Sequence, residues 1–242
     1  MKKRNITLFT AIAAAAAFAS SAQAAIVLEG GYTGPYRLAF QTTNQYDAVP
    51  TAIGTYNDRV QAVADATSGN AIDLSTITDW KMIGSTVAAN AKVNTGTTAT
   101  DGLAASGDVP IYNVNGELIA AGNAALWGAT PTTPLLARIV SQTGSNTTSR
   151  MWTGTQPDGT AWAGNELGAT QVGQGNGFWD GTASTSETGT WISWGQFVNG
   201  NPNPQANNYA HYALSPVQNI PEPTSLSLLA LGGLALLRRR RA

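Results

Sequence analysis

Apolar and polar positions alternate over short stretches along most of this chain, and helical spacing is confined to its early part. Tyr36-Arg37-Leu38-Ala39-Phe40 alternates and carries two aromatic rings, which predicts a strand. Val60, Val63, Ala64 and Thr67 then fall on one side of a helix, with Asn57 or Asp58 placed to cap it and Gly69 to stop it. The pattern accommodates a second, shorter helix around Leu74 to Trp80, with Asp73 or Ser75 as its cap.

Beyond Trp80 the apolar pieces shorten and are separated by Gly, Asn, Thr and Pro, as in strands joined by long loops. Val109 to Val114 and Glu117 to Ala120 flank Asn115-Gly116, a pair that tolerates the positive φ of a type I′ turn and so predicts a hairpin. Ala137 to Val140, Met151 to Gly154 and Trp191 to Val198 are further strand candidates, and His211 to Leu214 reads as a closing strand. Gly164 to Thr190 is mostly Gly, Thr, Ser, Asn and Gln around Phe178 and Trp179, which predicts a long loop pinned by aromatics. Asn199 to Asn208 predicts another loop. Helices first and short antiparallel strands afterwards is an α+β ordering, and no internal repeat interrupts it.

The two ends follow different rules. Lys2, Lys3 and Arg4 precede an alanine-rich apolar run from Leu8 to Phe18, and Ala22-Gln23-Ala24 supplies a small-x-small cleavage site. Residues 1–24 are therefore expected to be a signal peptide, handled by a Sec translocon and signal peptidase, with the mature chain starting at Ala25. At the other end, residues 218–242 contain Pro221-Glu222-Pro223, an uncharged apolar stretch from Thr224 to Leu237, and Arg238, Arg239, Arg240 and Arg241. Two prolines make the triplet an extended spacer. The apolar stretch is shorter than the roughly 20 residues of a relaxed spanning helix, so it is at best a weak anchor. Clustered arginines beside it stay on the cytoplasmic side, which places the body of the chain outside.

This tripartite ending resembles the PEP-CTERM sorting signal of Gram-negative bacteria, carried here by Pro221, Glu222, Pro223, the apolar run and Arg238 to Arg241. The resemblance implies removal of the tail beside the triplet by a membrane-embedded exosortase. It also implies a cell-surface or extracellular destination among exopolysaccharide or other matrix and biofilm components. An ordinary C-terminal tail anchor is the alternative.

Between these ends, residues 25–217 are enough for one domain with a sizeable core. They hold six basic residues (Arg37, Arg59, Lys81, Lys92, Arg138, Arg150) and thirteen acidic ones, so this part is more acidic than the whole-chain charge of −1. Nucleic acid is excluded as a natural partner, because phosphate binding needs clustered cations. Cysteine is absent from an exported chain in which disulfides are permitted, so stability must come from packing. Seven Trp and seven Tyr provide the large anchors.

Val109 to Ile119, then Leu126-Trp127, Ala137 to Val140 and Met151-Trp152-Thr153-Gly154-Thr155-Gln156-Pro157-Asp158-Gly159 are similar in content and order to endostatin. The Trp152 to Thr155 block also resembles bacterial surface domains of the C-type lectin-like fold. Trp80 to Ser85 and His211 to Leu214 suit the same plan. The resemblance implies an α+β C-type lectin-like (endostatin-like) domain with two early helices, short antiparallel strands and a long irregular loop. Family members carry disulfides that this chain lacks. Endostatin's zinc-binding histidines and heparin-binding arginines have no counterparts here, so those activities do not transfer.

The candidate chemistry is sparse. Gln156-Pro157-Asp158 spells the triplet with which galactose-type C-type lectins hold calcium and a sugar diol. Calcium needs six to eight oxygens, and only Glu166 and Asp180 are near enough in sequence to join, with Trp179 as a stacking ring. The competing reading is a type I turn with Pro157, Asp158 and Gly159 at its second to fourth positions. His211 is the only histidine, and its place in a predicted strand favours a structural role. Trp152, Trp162, Trp179, Trp191 and Trp194 are either core anchors or a sugar-stacking face. No nucleophile, phosphate-loop or metalloprotease motif occurs, and no local motif nominates a catalytic carboxylate pair. The expected class is a non-enzymatic exported protein without a cofactor or metal. The rival is a carbohydrate-binding protein acting through calcium or aromatic stacking.

Overall fold

A computed structural model describes residues 27–68, 72–128, 135–146, 150–176, 191–196 and 207–219. Within them the protein mixes a few helices with two sheets. The main sheet has five strands in the order β2-β8-β1-β3-β4: β1 Arg37–Gln41, β2 Lys81–Met82, β3 Ile111–Asn113, β4 Leu118–Ala120 and β8 Tyr212–Leu214. The second has three antiparallel strands, β5 Arg150–Trp152, β6 Gly173–Asn176 and β7 Gly195–Gln196. The helices are α1 Ile53–Asp65, α2 Ala91–Asn94 and α3 Asn123–Trp127, with 3-10 turns at Glu29–Gly31, Leu74–Thr76 and Ala104–Ser106.

β1 lies at the centre, antiparallel to β8 with Ala39 opposite Leu214, and parallel to β3 with Arg37 opposite Ile111. All five of its residues are buried, because both faces of the sheet are covered. Leu38 and Phe40 face a cluster shared with Tyr56, Val60, Val63 and Trp80, whereas Ala39 faces one built from Trp127, Met151, Trp191 and Tyr212. Aromatic edges fix both layers: Phe40 meets Trp80 at 4.8 Å, and Trp191 meets Tyr212 at 5.3 Å.

α1 buries Tyr56, Val60, Val63 and Ala64, the spacing of one helical face. It begins at Ile53, ahead of the expected Asn57 or Asp58 cap, and Ala52 caps it without a side-chain bond. Asn57 has a different task. Its Oδ1 accepts the Met82 N–H at 2.9 Å, and one turn on Gln61 Oε1 accepts the Trp80 N–H at 2.9 Å. Two side chains of α1 thus satisfy donors along β2, the outer strand of the main sheet, and blunt an edge open to pairing.

Several other expectations are corrected. The segment around Leu74 forms only a 3-10 turn, Leu74–Thr76, capped as expected by Asp73, which accepts the Ser75 N–H. β3 and β4 form the expected hairpin, but not through a type I′ turn. Gly116 donates to the Asn113 carbonyl, Gly116 alone in the loop takes positive φ (85°), and Asn113 Oδ1 accepts the N–H groups of Asn115 and Glu117. The Asn113 side chain thereby selects a wider loop than the dipeptide suggests. Residues 137–140 form no strand; they touch β1 through the Val140 carbonyl and a single bridge from Ser141 to Gln41. β6 lies inside the segment expected to be loop from Gly164 to Thr190. Phe178, Trp179 and most of Asn199 to Asn208 lie outside the described residues.

Candidate functional site

The chain leaves its fold through a tightly tied corner. Beyond β8, the Ser215 N–H donates to the Leu38 carbonyl and the Leu38 N–H donates to Ser215 Oγ, both at 2.9 Å. Arg37, the first residue of β1, also holds the corner from within. Arg37 is 6 % exposed, and its guanidinium donates to the carbonyls of Thr95 (2.9 Å), Gly96 (3.1 Å), Gly107 (3.4 Å) and Ser215 (2.9 Å). Burial lowers its pKa, yet arginine remains charged at any ordinary pH. A fixed fork of donors therefore gathers three segments onto β1. Among the described residues the last pairing is between Tyr36 and Gln218, whose backbones exchange hydrogen bonds at 3.0 and 2.7 Å.

The Gln156 triplet forms the expected turn: the Gly159 N–H donates to the Gln156 carbonyl at 3.0 Å. Asp158 is already engaged. Its Oδ1 accepts the Thr160 hydroxyl at 2.6 Å and the Thr160 N–H at 3.0 Å, and the hydroxyl bond is the main reason its carboxyl sits below the usual aspartate pKa. Glu166 is 9 % exposed, and its backbone takes part in a turn closed by the Ala169 N–H. Asp180 and Trp179 lie outside the described residues. Among the described residues no three His, Cys, Asp or Glu side chains gather closely enough to hold a metal ion.

Trp152 and Trp191 are buried at 0 % and 2 % exposure, so their rings anchor the core and offer no face to a sugar. Trp162 packs over Gly173, and the Arg150 guanidinium lies 4.9 Å from the Trp194 ring centre. His211 is wholly buried, stacked on Tyr46 at 5.3 Å and edge-on to Tyr56 at 5.4 Å. Among the described residues neither ring nitrogen has a hydrogen-bond partner. Desolvation, helped by the nearby Arg59 charge, pushes its pKa down to about 3, so the ring is neutral at neutral pH.

Ala22, Ala24, Ala25, Pro221, Glu222, Pro223 and Arg238, Arg239, Arg240 and Arg241 lie outside the described residues. Among the described residues no helix is long and apolar enough to cross a membrane. Comparison with family models decides what the C-terminal end is. Residues 219–241 match the PEP-CTERM protein-sorting motif. The PEP-CTERM match opens at Asn219, the residue after the one that pairs with Tyr36, so sorting motif and fold meet without overlap. No curated protein matches the chain.

The sequence alone did not reveal the Arg37 clamp. An arginine in an alternating strand reads as a surface position, and its carbonyl partners are spread from Thr95 to Ser215.

Proposed function

We propose that the chain is a non-enzymatic exported protein, carried across the inner membrane, held there briefly by its C-terminal apolar run, and cut beside Pro221-Glu222-Pro223 by an exosortase. The single observation that carries this reading is the PEP-CTERM match over residues 219–241. Its start directly after Gln218 supports it, since cutting there leaves every described pairing of the body intact. The released body is a C-type lectin-like domain of the cell surface or extracellular matrix, where exopolysaccharide and matrix proteins are its neighbours. Support for that fold is the antiparallel pairing of the first strand with the last, and the smaller sheet formed by the chain between them.

Mass spectrometry of the mature protein from a Gram-negative host that has an exosortase tests the proposal. The expected species begins at Ala25 and ends beside the PEP triplet. A reporter fused ahead of Ile220 that remains in the cytosol, with both ends uncut, would refute it.

A further inference from the structure

A cleft of about 350 Å³ opens between the C-terminal half of α1 and two loops, residues 42–46 and 141–144. It lies apart from the Gln156 turn, and none of the side chains that line it carries a charge. One wall comes from the end of α1 and the residues after it: Val63 and the methyl groups of Ala62 and the C-cap Ala66 make it largely apolar, with Thr67 and Ser68 at its end. The facing wall carries the amides and hydroxyls of Asn44, Gln142 and Thr143.

The polar wall is set in place by bonds of its own. Gln142 Oε1 accepts the Thr43 N–H at 2.9 Å and its Nε2 donates to the Thr43 hydroxyl at 2.6 Å. The Thr143 and Ser141 hydroxyls lie 2.9 Å apart, and the Thr42 hydroxyl donates to the Asn44 carbonyl at 2.7 Å. Tyr46 is fixed between them by two backbone bonds to Tyr209 and by its stack on His211. Such a wall needs little ordering when a ligand arrives.

The lining chooses among ligand classes. A phosphate or carboxylate ligand needs a cation, and Arg59, which lies over the lining residue Tyr46, is committed to Asp47 at 3.0 Å and to the faces of Tyr46 and Tyr56. A hydrocarbon ligand would strip water from the amides and hydroxyls without replacing their hydrogen bonds. A ligand with hydroxyls on one face and C–H groups on the other meets both walls. The volume is near the lower end of the roughly 300–1,000 Å³ of ligand pockets, which suits a sugar ring whose chain continues into solvent. We infer that this cleft binds one residue of a neutral glycan, with the exposed Asn44 amide and Thr143 hydroxyl on its hydroxyls and the Ala62 and Ala66 methyls against its C–H face. The inference does not depend on processing of the tail.

Calorimetric titration of the full chain, kept in a detergent without sugar headgroups, tests it with cellobiose, maltose and lactose, and with glucuronic acid as a charged control. At least one neutral disaccharide binds saturably and glucuronic acid binds at least tenfold more weakly. Ala66→Trp fills the cleft from the exposed C-cap of α1, and Asn44→Ala removes an amide without altering the core. Each reduces affinity by roughly tenfold, about 1.4 kcal/mol, with the melting temperature unchanged. Should Ala66→Trp fail to fold, Asn44→Ala carries the test alone. No binding up to roughly 10 mM, equal binding of glucuronic acid, or affinity unchanged in the folded variants would overturn the inference.

Discussion

Tyr36 and Gln218 exchange two backbone hydrogen bonds, and three residues after that bridge the chain reaches Pro221. An extended residue spans at most about 3.6 Å, so the PEP triplet begins within roughly 11 Å of the folded surface. A protease needs several residues of extended chain, and just upstream of Asn219 Gln218 and Ser215 are both tied into the fold. Limited proteolysis of the full chain is therefore expected to trim the C terminus to Asn219 or Ile220 and stop, as read by intact mass. Early cuts between Ala210 and Gln218 would show that the closing segment opens on its own.

The arginine cluster is predicted to set orientation. Replacing Arg238, Arg239, Arg240 and Arg241 by glutamine removes the charges that hold the tail at the cytoplasmic face, and a short apolar run cannot hold itself there. Cells carrying this variant should release or mislocalise an unprocessed chain, detected as a species that retains residues 224–242. Normal processing of the glutamine variant would mean that the triplet and apolar run suffice.

Arg37→Met is predicted to be costly. It keeps much of the side-chain volume, but it strips four carbonyls, three of them in buried bonds, of their charge-assisted donor, and hydrogen bonds to a charged group are worth about 1.5–3 kcal/mol each without being additive. A loss of about 3–5 kcal/mol is expected in urea unfolding of the full chain. Arg37→Lys should recover only part of it, since one ammonium cannot reach carbonyls in three segments. A loss below about 1 kcal/mol for Arg37→Met would mean that water replaces the guanidinium freely.

What was legible in the sequence followed from local chemistry. β1 and β8 are short apolar runs bounded by polar or turn residues beside them, the two hairpin strands are neighbours in sequence, and the PEP-CTERM motif is contiguous. What was missed depends on distant segments. β6, Gly173-Gln174-Gly175-Asn176, has no strand-favouring residue, because a Cβ on Gly173 would lie 2.6 Å from the Trp162 ring and one on Gly175 would collide with the Trp191 carbonyl. Close approach, and not propensity, put glycine there. Asn57 reads as a helix cap until Met82, twenty-five residues on, is seen to need its amide. The cleft is drawn from three separated segments around Asn44, Ala66 and Gln142, so no window of sequence contains it.

Gly154 shows the same constraint in testable form. It takes a φ of 58°, and a Cβ there would lie 2.5 Å from the Leu167 amide nitrogen and 2.8 Å from the Ser85 carbonyl oxygen. Those groups form the Leu167-to-Ser85 backbone hydrogen bond that ties the segment ahead of β6 to the chain just after β2. Gly154→Ala thus combines left-handed strain with a backbone clash, and thermal melts should show a loss of about 2–4 kcal/mol. A melting temperature equal to that of the parent chain would show that the loop shifts without cost.

His211 makes the fold sensitive to acid. Its folded pKa is depressed to about 3 from an ordinary 6.5, so below pH 6.5 the unfolded chain binds a proton that the folded chain refuses. The sign follows: stability is complete above about pH 6.5 and falls by up to about 1.4 kcal/mol for each pH unit down towards 3. The groups facing the ring, Tyr46, Tyr56 and the Arg59 cation, offer it no compensating negative charge. Because neither ring nitrogen has a partner, His211→Phe removes a titrating group without breaking a side-chain hydrogen bond. That variant should stay within about 1 kcal/mol of the parent at pH 7 and lose less stability on acidification, as measured by urea unfolding at pH 7, 6, 5 and 4. Parallel pH profiles for the two proteins would assign the acid sensitivity to other groups.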